Sequence, residues 1–144
     1  MDGANIRVTN SPRMSAPSFA LRPVAEALAK SEKDRILRGY NLKDQPSRPL
    51  TLAYARQKVK RGALAIRNWA STFSLMSTFG IQSESSKSAT IGWPADQQKK
   101  VGWNEKWDQM AGLSENDKRA GDEAADRVWG EISERVWDSR SSKK

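Results

Sequence analysis

The chain has 144 residues, a formal net charge of +8 at neutral pH, and neither cysteine nor histidine. This composition excludes disulfides, thiolate chemistry, imidazole metal ligands and the usual proton shuttle at neutral pH. A hydrophobic content of 37% limits the chain to one domain with a modest core, so we expect part of it to be arm or tail.

The N-terminal segment, residues 1–22, contains prolines, polar residues and scattered arginines without any period, which predicts an extended basic arm. It has no apolar stretch of the kind found in secretory signals, so we expect a location in the cytoplasm or within a particle. Pro23 then begins a helix that we predict over residues 23–39, with Gly39 as its stop.

The longest helical pattern covers residues 51–79 and predicts one continuous helix over about 50–79. In a heptad frame that starts at Leu52, apolar or small residues repeat at positions a and d for four heptads. We expect this helix to be the centre of the fold, buried along the seam from Leu52 to Met76. Its first half is basic, and its nearly uncharged second half needs cover from other chains or helices.

The rest of the chain completes the predicted helical domain. Residues 80–93 are rich in serine and are predicted to form a loop. A third helix is predicted over 95–111 and a fourth over 115–138, the latter introduced by an acidic variant of the capping box. Residues 139–144 form a basic tail. The sequence therefore predicts an all-α fold of about four helices around one long central helix.

The tryptophan content is high, with six residues in the chain, and favours cores and protein interfaces. Trp103 and Trp107 fall on one face of the third helix. Because acidic and basic residues alternate around them, packing against the long helix is favoured over stacking on bases. The predicted interface and core residues are Trp69, Phe73, Phe79, Trp103, Trp107 and Trp129.

Residue patterns for catalysis or metal binding are missing. The acidic residues of the fourth helix lack the alternating oxygen ligands and central glycine of a calcium loop. No phosphate-binding glycine motif or nucleophile motif occurs either. We therefore expect no enzymatic activity, no metal and no cofactor.

The cations of the long helix are the candidate contacts to nucleic acid or to another acidic partner. Each can neutralise one phosphate, and because no base-reading module is recognisable, binding would involve the nucleic-acid backbone. Basic side chains near a helix start also oppose the helix dipole, so helix stability does not explain their position. These candidates are Arg56, Lys58, Lys60, Arg61 and Arg67.

The charge is uneven, with 14 basic against 5 acidic residues over 1–80 and 11 against 12 over 81–144. We interpret the chain as a non-enzymatic structural subunit of a larger assembly, such as a virion or another nucleoprotein particle. It would dock onto other protein chains through the long helix and the tryptophan faces, with its basic half towards nucleic acid or another acidic surface.

Two alternatives remain from the sequence. One is a free-standing, sequence-independent DNA- or RNA-binding protein. The other, ranked below it, is a membrane-peripheral protein attached by an amphipathic helix, because the basic cluster precedes a mostly apolar segment.

Overall fold

We describe residues 5–9, 21–69, 74–85 and 88–129 of a computed structural model. Within these residues, three β-strands accompany the helices. The prediction of an all-α fold is therefore wrong, since the fold is mixed. In chain order the elements are β1 (Ile6–Thr9), α1 (Leu21–Leu37), α2 (Leu52–Lys60), α3 (Ser74–Ser77), β2 (Gly80–Glu84), β3 (Ser88–Gly92), a 3-10 helix (Ala95–Gln97), α4 (Gln98–Glu105) and α5 (Glu115–Trp129).

The strands form an antiparallel sheet in the order β1-β3-β2. Ile6 of β1 pairs with Ile91 of β3, and two residues further on Val8 pairs with Ala89. Both apolar residues of β1 are fully buried, while Arg7 between them is exposed. Each strand has at most two apolar residues at alternate positions. That is too few for a period of two to stand out among the surrounding polar residues.

Two segments that were predicted to be irregular belong to this sheet. The predicted serine-rich loop, residues 80–93, contains β2 and β3, which pair with each other around a bulge between Ile81 and Ser83. Residues 6–9 of the predicted N-terminal arm form β1, and residues 10–20 lie outside the described part of the chain. The exposed residues of β2 are polar, which explains why the sequence resembles a loop there.

The helix at the centre of the fold is α1 and not the predicted long helix. It packs against α5 and against strands β2 and β3. Val24, Leu28 and Ile36 of α1 are fully buried in the core. Within α2, by contrast, the buried residue is a lysine, Lys58.

The predicted helix over 50–79 ends early, at a glycine. Gly62 has a φ of 81°, a left-handed conformation that costs glycine little. Its N–H donates to the carbonyl of Val59 at 3.0 Å, and the N–H of Ala63 donates to the carbonyl of Lys58 at 2.9 Å. This pair of hydrogen bonds is a Schellman motif, which terminates α2 and turns the chain away.

The heptad seam is consequently not formed as one surface. Leu52 and Val59 are 66% and 59% exposed, although the seam placed them in the core. Trp69 and Met76 are buried, but they lie in separate segments after the end of α2, and residues 70–73 between them are outside the described part. A repeat that is interrupted by a left-handed turn cannot keep its residues on one face.

The other predicted helices are present with different limits. The helix predicted over 23–39 is α1, and the one predicted over 95–111 is shortened to the 3-10 helix and α4. The helix predicted over 115–138 starts as expected, while residues 130–144 lie outside the described part.

A buried ion pair joins α1 to the start of α5. The Nε of Arg35 donates to Asp117 at 2.8 Å, and both side chains are almost completely buried. The two terminal nitrogens of Arg35 donate to the carbonyls of Tyr40, Met110 and Gly112. One side chain thereby holds the loop after α1 and the loop before α5 in place.

The same carboxylate closes the predicted capping box. Asp117 Oδ2 accepts the N–H of Ser114 at 3.0 Å, and Ser114 Oγ accepts the N–H of Asp117 at 3.2 Å. Next to this pair, Glu32 Oε2 accepts the N–H of Gly112 at 2.9 Å. Burial raises the pKa of Glu32 well above its ordinary value, although the hydrogen bond from Gly112 and the positive charge of Arg35 both act in the opposite direction.

Candidate functional site

A cavity of about 280 Å³ lies between α2, the segment that follows it and α4. We call it the Trp69 cavity. No aspartate or glutamate is among its described lining residues. It therefore combines apolar ring surface with positive charge. Three aromatic and three basic side chains line it: Tyr54, Trp69 and Trp103, and Lys58, Arg67 and Lys100.

A second cavity, of about 300 Å³, adjoins the first. The two share Leu50 and Arg67 in their walls. The second cavity adds Arg38, Arg48 and Tyr40, again without a carboxylate among the described lining residues. We call the two cavities together the basic cleft.

The sequence explains in part why the basic cleft is positively charged. Between Asp44 and Glu84 the chain has no acidic residue, and this stretch supplies most of the lining. A carboxylate does lie nearby, because Asp108 accepts the backbone N–H of Arg48 at 2.8 Å. The cleft is thus positive in its walls and bounded by an acidic residue next to it.

Arg67, which both cavities share, is held in place by backbone carbonyls. Its Nε donates to the carbonyl of Arg48 at 2.9 Å and its Nη2 to that of Pro49 at 3.2 Å. Its guanidinium lies 5.7 Å from the ring centroid of Trp107. Burial lowers the pKa of Arg67, and the carboxylate of Asp108 opposes that shift. Arginine remains protonated at neutral pH, so the cleft contains a positioned positive charge.

Trp103 and Trp107 lie at the surface, each 56% exposed. They do not pack in the core: Trp103 lies on the exposed side of α4, and Trp107 lies just after the end of this helix at Glu105. The ammonium of Lys99 lies 5.5 Å from the ring centroid of Trp103. Two exposed rings therefore have a cation next to them, an arrangement that stabilises an exposed site by only about 0.5–1 kcal/mol.

The five cations predicted to contact an acidic partner lie in different places. Arg56, Lys60 and Arg61 are exposed, and Arg67 is in the basic cleft. Lys58 is only 2% exposed. Because residues two apart on a helix point about 200° apart, Arg56 and Lys60 face away from the side of α2 that carries Lys58. Contact of the exposed cations with an acidic partner stays a prediction.

Lys58 ties α2 to the rest of the protein. Its ammonium donates to the carbonyl of Ile66 and, at 2.7 Å, to Oδ1 of Asn68. The amide of Asn68 in turn donates to the carbonyl of Leu37 at the end of α1. Burial lowers the pKa of Lys58, with a further contribution from the positive charge of Arg67. The hydrogen bonds of this lysine indicate a structural role.

We expect Lys58→Met to lower the free energy of unfolding by about 1–3 kcal/mol, because it removes the hydrogen bonds that the buried ammonium donates to Ile66 and Asn68. Lys60→Met is the matched control. It removes the same charge from an exposed position of the same helix and should change stability by less than about 0.5 kcal/mol. Urea unfolding followed by circular dichroism measures both. Equal midpoints for the two variants would contradict the structural role of Lys58.

Two of the predicted core aromatic residues pack against a residue that sequence reasoning missed. Trp69 and Phe79 are buried and pack against Trp93, with ring centroids at 5.6 Å and 4.8 Å. Trp93 lay in the predicted loop, so no helical or strand period pointed to it. Phe73 and the side chain of Trp129 lie outside the described part of the chain.

Sequence reasoning also missed much of the cleft lining. Arg48 and Tyr54 lie in the stretch without acidic residues, so the sequence could have pointed to them. Arg38 and Lys100 lie outside that stretch, and only the fold brings them to the cleft.

Within the described residues, no group of three or more candidate ligand side chains is placed to hold a metal ion. In the same part of the chain, no helix has both the length and the apolar character needed to cross a membrane.

Comparison with models of known protein families, with curated proteins and with solved structures gave no match for this chain.

Proposed function

We propose that this chain binds single-stranded nucleic acid, without sequence preference and without catalysing a reaction. The binding surface is the basic cleft together with the exposed Trp103 and Trp107. The observation that supports this most is the combination of positioned cations, exposed rings and a lining without carboxylates. Proteins that bind single strands without sequence preference combine a positive groove for the backbone with aromatic side chains for the bases.

The phosphate contacts would come from the cations in and beside the cleft. These are Arg38, Arg48, Arg67, Lys99 and Lys100. Each phosphate that is neutralised on a single strand contributes about −0.7 to the slope of log K against log salt. Three to five contacts therefore predict a slope of roughly −2 to −3.5.

The base contacts would come from the exposed tryptophans. A duplex hides the faces of its bases in the stack, whereas a single strand can place them on aromatic side chains. The exposed side chains of Trp103 and Trp107 thus favour single strands over duplexes. Sequence preference is not expected, because every base has a face that can stack.

The first test is fluorescence anisotropy with a labelled oligothymidine and with a duplex of the same length, at about 50 mM and about 200 mM salt. We expect tighter binding of the single strand and a steep salt slope. Trp103→Ala/Trp107→Ala should weaken binding by at least about 30-fold at an unchanged slope, because stacking contributes about 1–3 kcal/mol per base and the variant removes two rings. No binding at the lower salt concentration would refute the proposal.

A pair of charge variants controls for net charge. Lys99→Gln/Lys100→Gln removes two cations beside the cleft, and Lys30→Gln/Arg119→Gln removes two exposed cations on α1 and α5 that line neither cavity. The first variant should reduce the slope by about 1.4, while the second should leave it nearly unchanged. Equal losses would show that binding reflects overall charge and not the basic cleft.

A second candidate is supported by exposed apolar surface on α2 and on the segment that follows it. Leu52, Val59 and Leu64 are each more than half exposed, which is unusual for three large apolar side chains in one short stretch. This surface supports a structural subunit that docks onto other chains of an assembly, in place of the predicted long helix. Sedimentation velocity at rising protein concentration, for the native chain and for Leu52→Ser/Val59→Ser, tests whether copies of the chain associate through it.

The membrane-peripheral alternative depended on a helix that continues from the basic cluster into the mostly apolar segment, over residues 58–81. Because α2 ends at Lys60, we do not propose it further. A location in the cytoplasm or within a nucleoprotein particle belongs to the present proposal, since nucleic acid is accessible in both.

A further inference from the structure

Trp69 has two unusual properties at the Trp69 cavity. Its backbone is left-handed, with a φ of 58°, a conformation that bulky side chains rarely adopt. Its indole N–H is buried and has no hydrogen-bond acceptor within the described part of the chain. Both properties cost free energy, and such costs gather at functional sites.

The surroundings of Trp69 hold it in this conformation. The preceding residue, Asn68, is fixed by hydrogen bonds with Lys58 and with the carbonyl of Leu37. On one side the indole ring packs against Trp93 at a centroid distance of 5.6 Å. The strained backbone and the unpaired N–H are therefore properties of the folded site.

We propose that the Trp69 cavity receives one nucleobase of the bound strand, and that the Trp69 ring turns on binding so that its indole N–H, which is buried in the free protein, donates to an oxygen or ring nitrogen of this base. The inference rests on the proposed function. The cavity measures about 280 Å³, which is near the lower limit of ligand pockets, at roughly 300 Å³, and provides room for one ring system. Tyr54 and Trp103 line it as further aromatic side chains.

The charges of the cavity suit a nucleotide. Lys100 and Arg67 line the same space, so the phosphate next to an inserted base would lie near positive charge. All nucleobases have at least one acceptor atom that an indole N–H can reach. A single donor therefore favours any inserted base over an empty cavity without choosing among the four bases.

The indole N–H signals of the six tryptophans provide a direct test. Nitrogen-labelled protein is titrated with oligothymidine of about ten nucleotides and with a strand of equal length that lacks bases, a length within the site sizes of single-strand binders. We expect the Trp69 indole proton to shift downfield with oligothymidine and to stay in place with the abasic strand. Trp69→Phe identifies the signal; triple-resonance assignment of the native protein does so if that variant does not fold.

The outcomes separate this inference from the proposed function. If oligothymidine binds with a steep salt slope while the Trp69 signal stays in place, the base-insertion proposal is overturned and the proposed function stands. If oligothymidine does not bind at all, the proposed function fails and the inference fails with it. A folded Trp69→Phe should also reduce the preference for oligothymidine over the abasic strand several-fold, at an unchanged salt slope.

Discussion

Replacing Arg35 by alanine is expected to lower the free energy of unfolding by about 3–5 kcal/mol. The variant leaves the carboxylate of Asp117 buried without its cation. It also removes the donor from the carbonyls of Tyr40, Met110 and Gly112, which Arg35 now satisfies. Breaking one partner of a buried pair is costly because the remaining charge is neither solvated nor paired. Urea unfolding followed by circular dichroism gives the change.

The controls use the same residue type and the same pair. Arg38→Ala changes an exposed arginine three residues further along the chain and should alter stability by less than about 0.5 kcal/mol. The double variant Arg35→Met/Asp117→Leu removes both buried charges, so it should lose less than the sum of the single changes. If Arg35→Ala unfolds at the same denaturant concentration as the native chain, the role assigned to this pair is wrong.

Trp93→Ala should lower the free energy of unfolding by a similar amount, about 3–5 kcal/mol. Trp93 is 1% exposed, and its rings pack against Trp69 and Phe79 where β3 ends. Its Nε1 donates to the carbonyl of Leu75 at 3.1 Å. Truncation to alanine leaves a large cavity, removes this hydrogen bond and removes the ring against which Trp69 packs.

Two further variants are the controls for Trp93→Ala: a smaller change at the same position, and the same change at an exposed tryptophan. Trp93→Phe keeps an aromatic ring and should lose about 1–2 kcal/mol, chiefly from the hydrogen bond and the smaller volume. Trp103→Ala, at a tryptophan that is 56% exposed, should have a small effect on stability. Thermal unfolding of the three variants measures the order. A Trp93→Ala variant as stable as Trp103→Ala would contradict the position of Trp93 in the core.

Features that depend on neighbouring residues could be predicted from the sequence. The end of α1 near Gly39 follows from a local rule of helix termination, and the start of α5 follows from the capping box of Ser114 and Asp117. The stretch without acidic residues between Asp44 and Glu84 is likewise visible in the sequence, and with it the basic character of the cleft. Each of these features depends only on residues that lie close together in the sequence.

The role of Gly62 depended on a choice that the sequence leaves open. The heptad pattern across it fits a continuous helix, and glycine is tolerated inside helices at a cost of about 1 kcal/mol. The tertiary structure favours the Schellman motif, since Lys58 is then held by Asn68 and Ile66. The preference of the heptad pattern for a continuous helix is thus outweighed by contacts that form only in the folded protein.

The sequence by itself determined the charge distribution, the end of α1, the start of α5, and the absence of cysteine and histidine chemistry. Only the tertiary structure decided that Ile6 pairs with Ile91, that Lys58 is buried and that Arg38, Arg67 and Lys100 surround adjoining cavities. The physical reason is distance along the chain. A cap or a charge run is specified within a few residues, whereas a strand pair or a cleft depends on the packing of segments that are far apart in sequence.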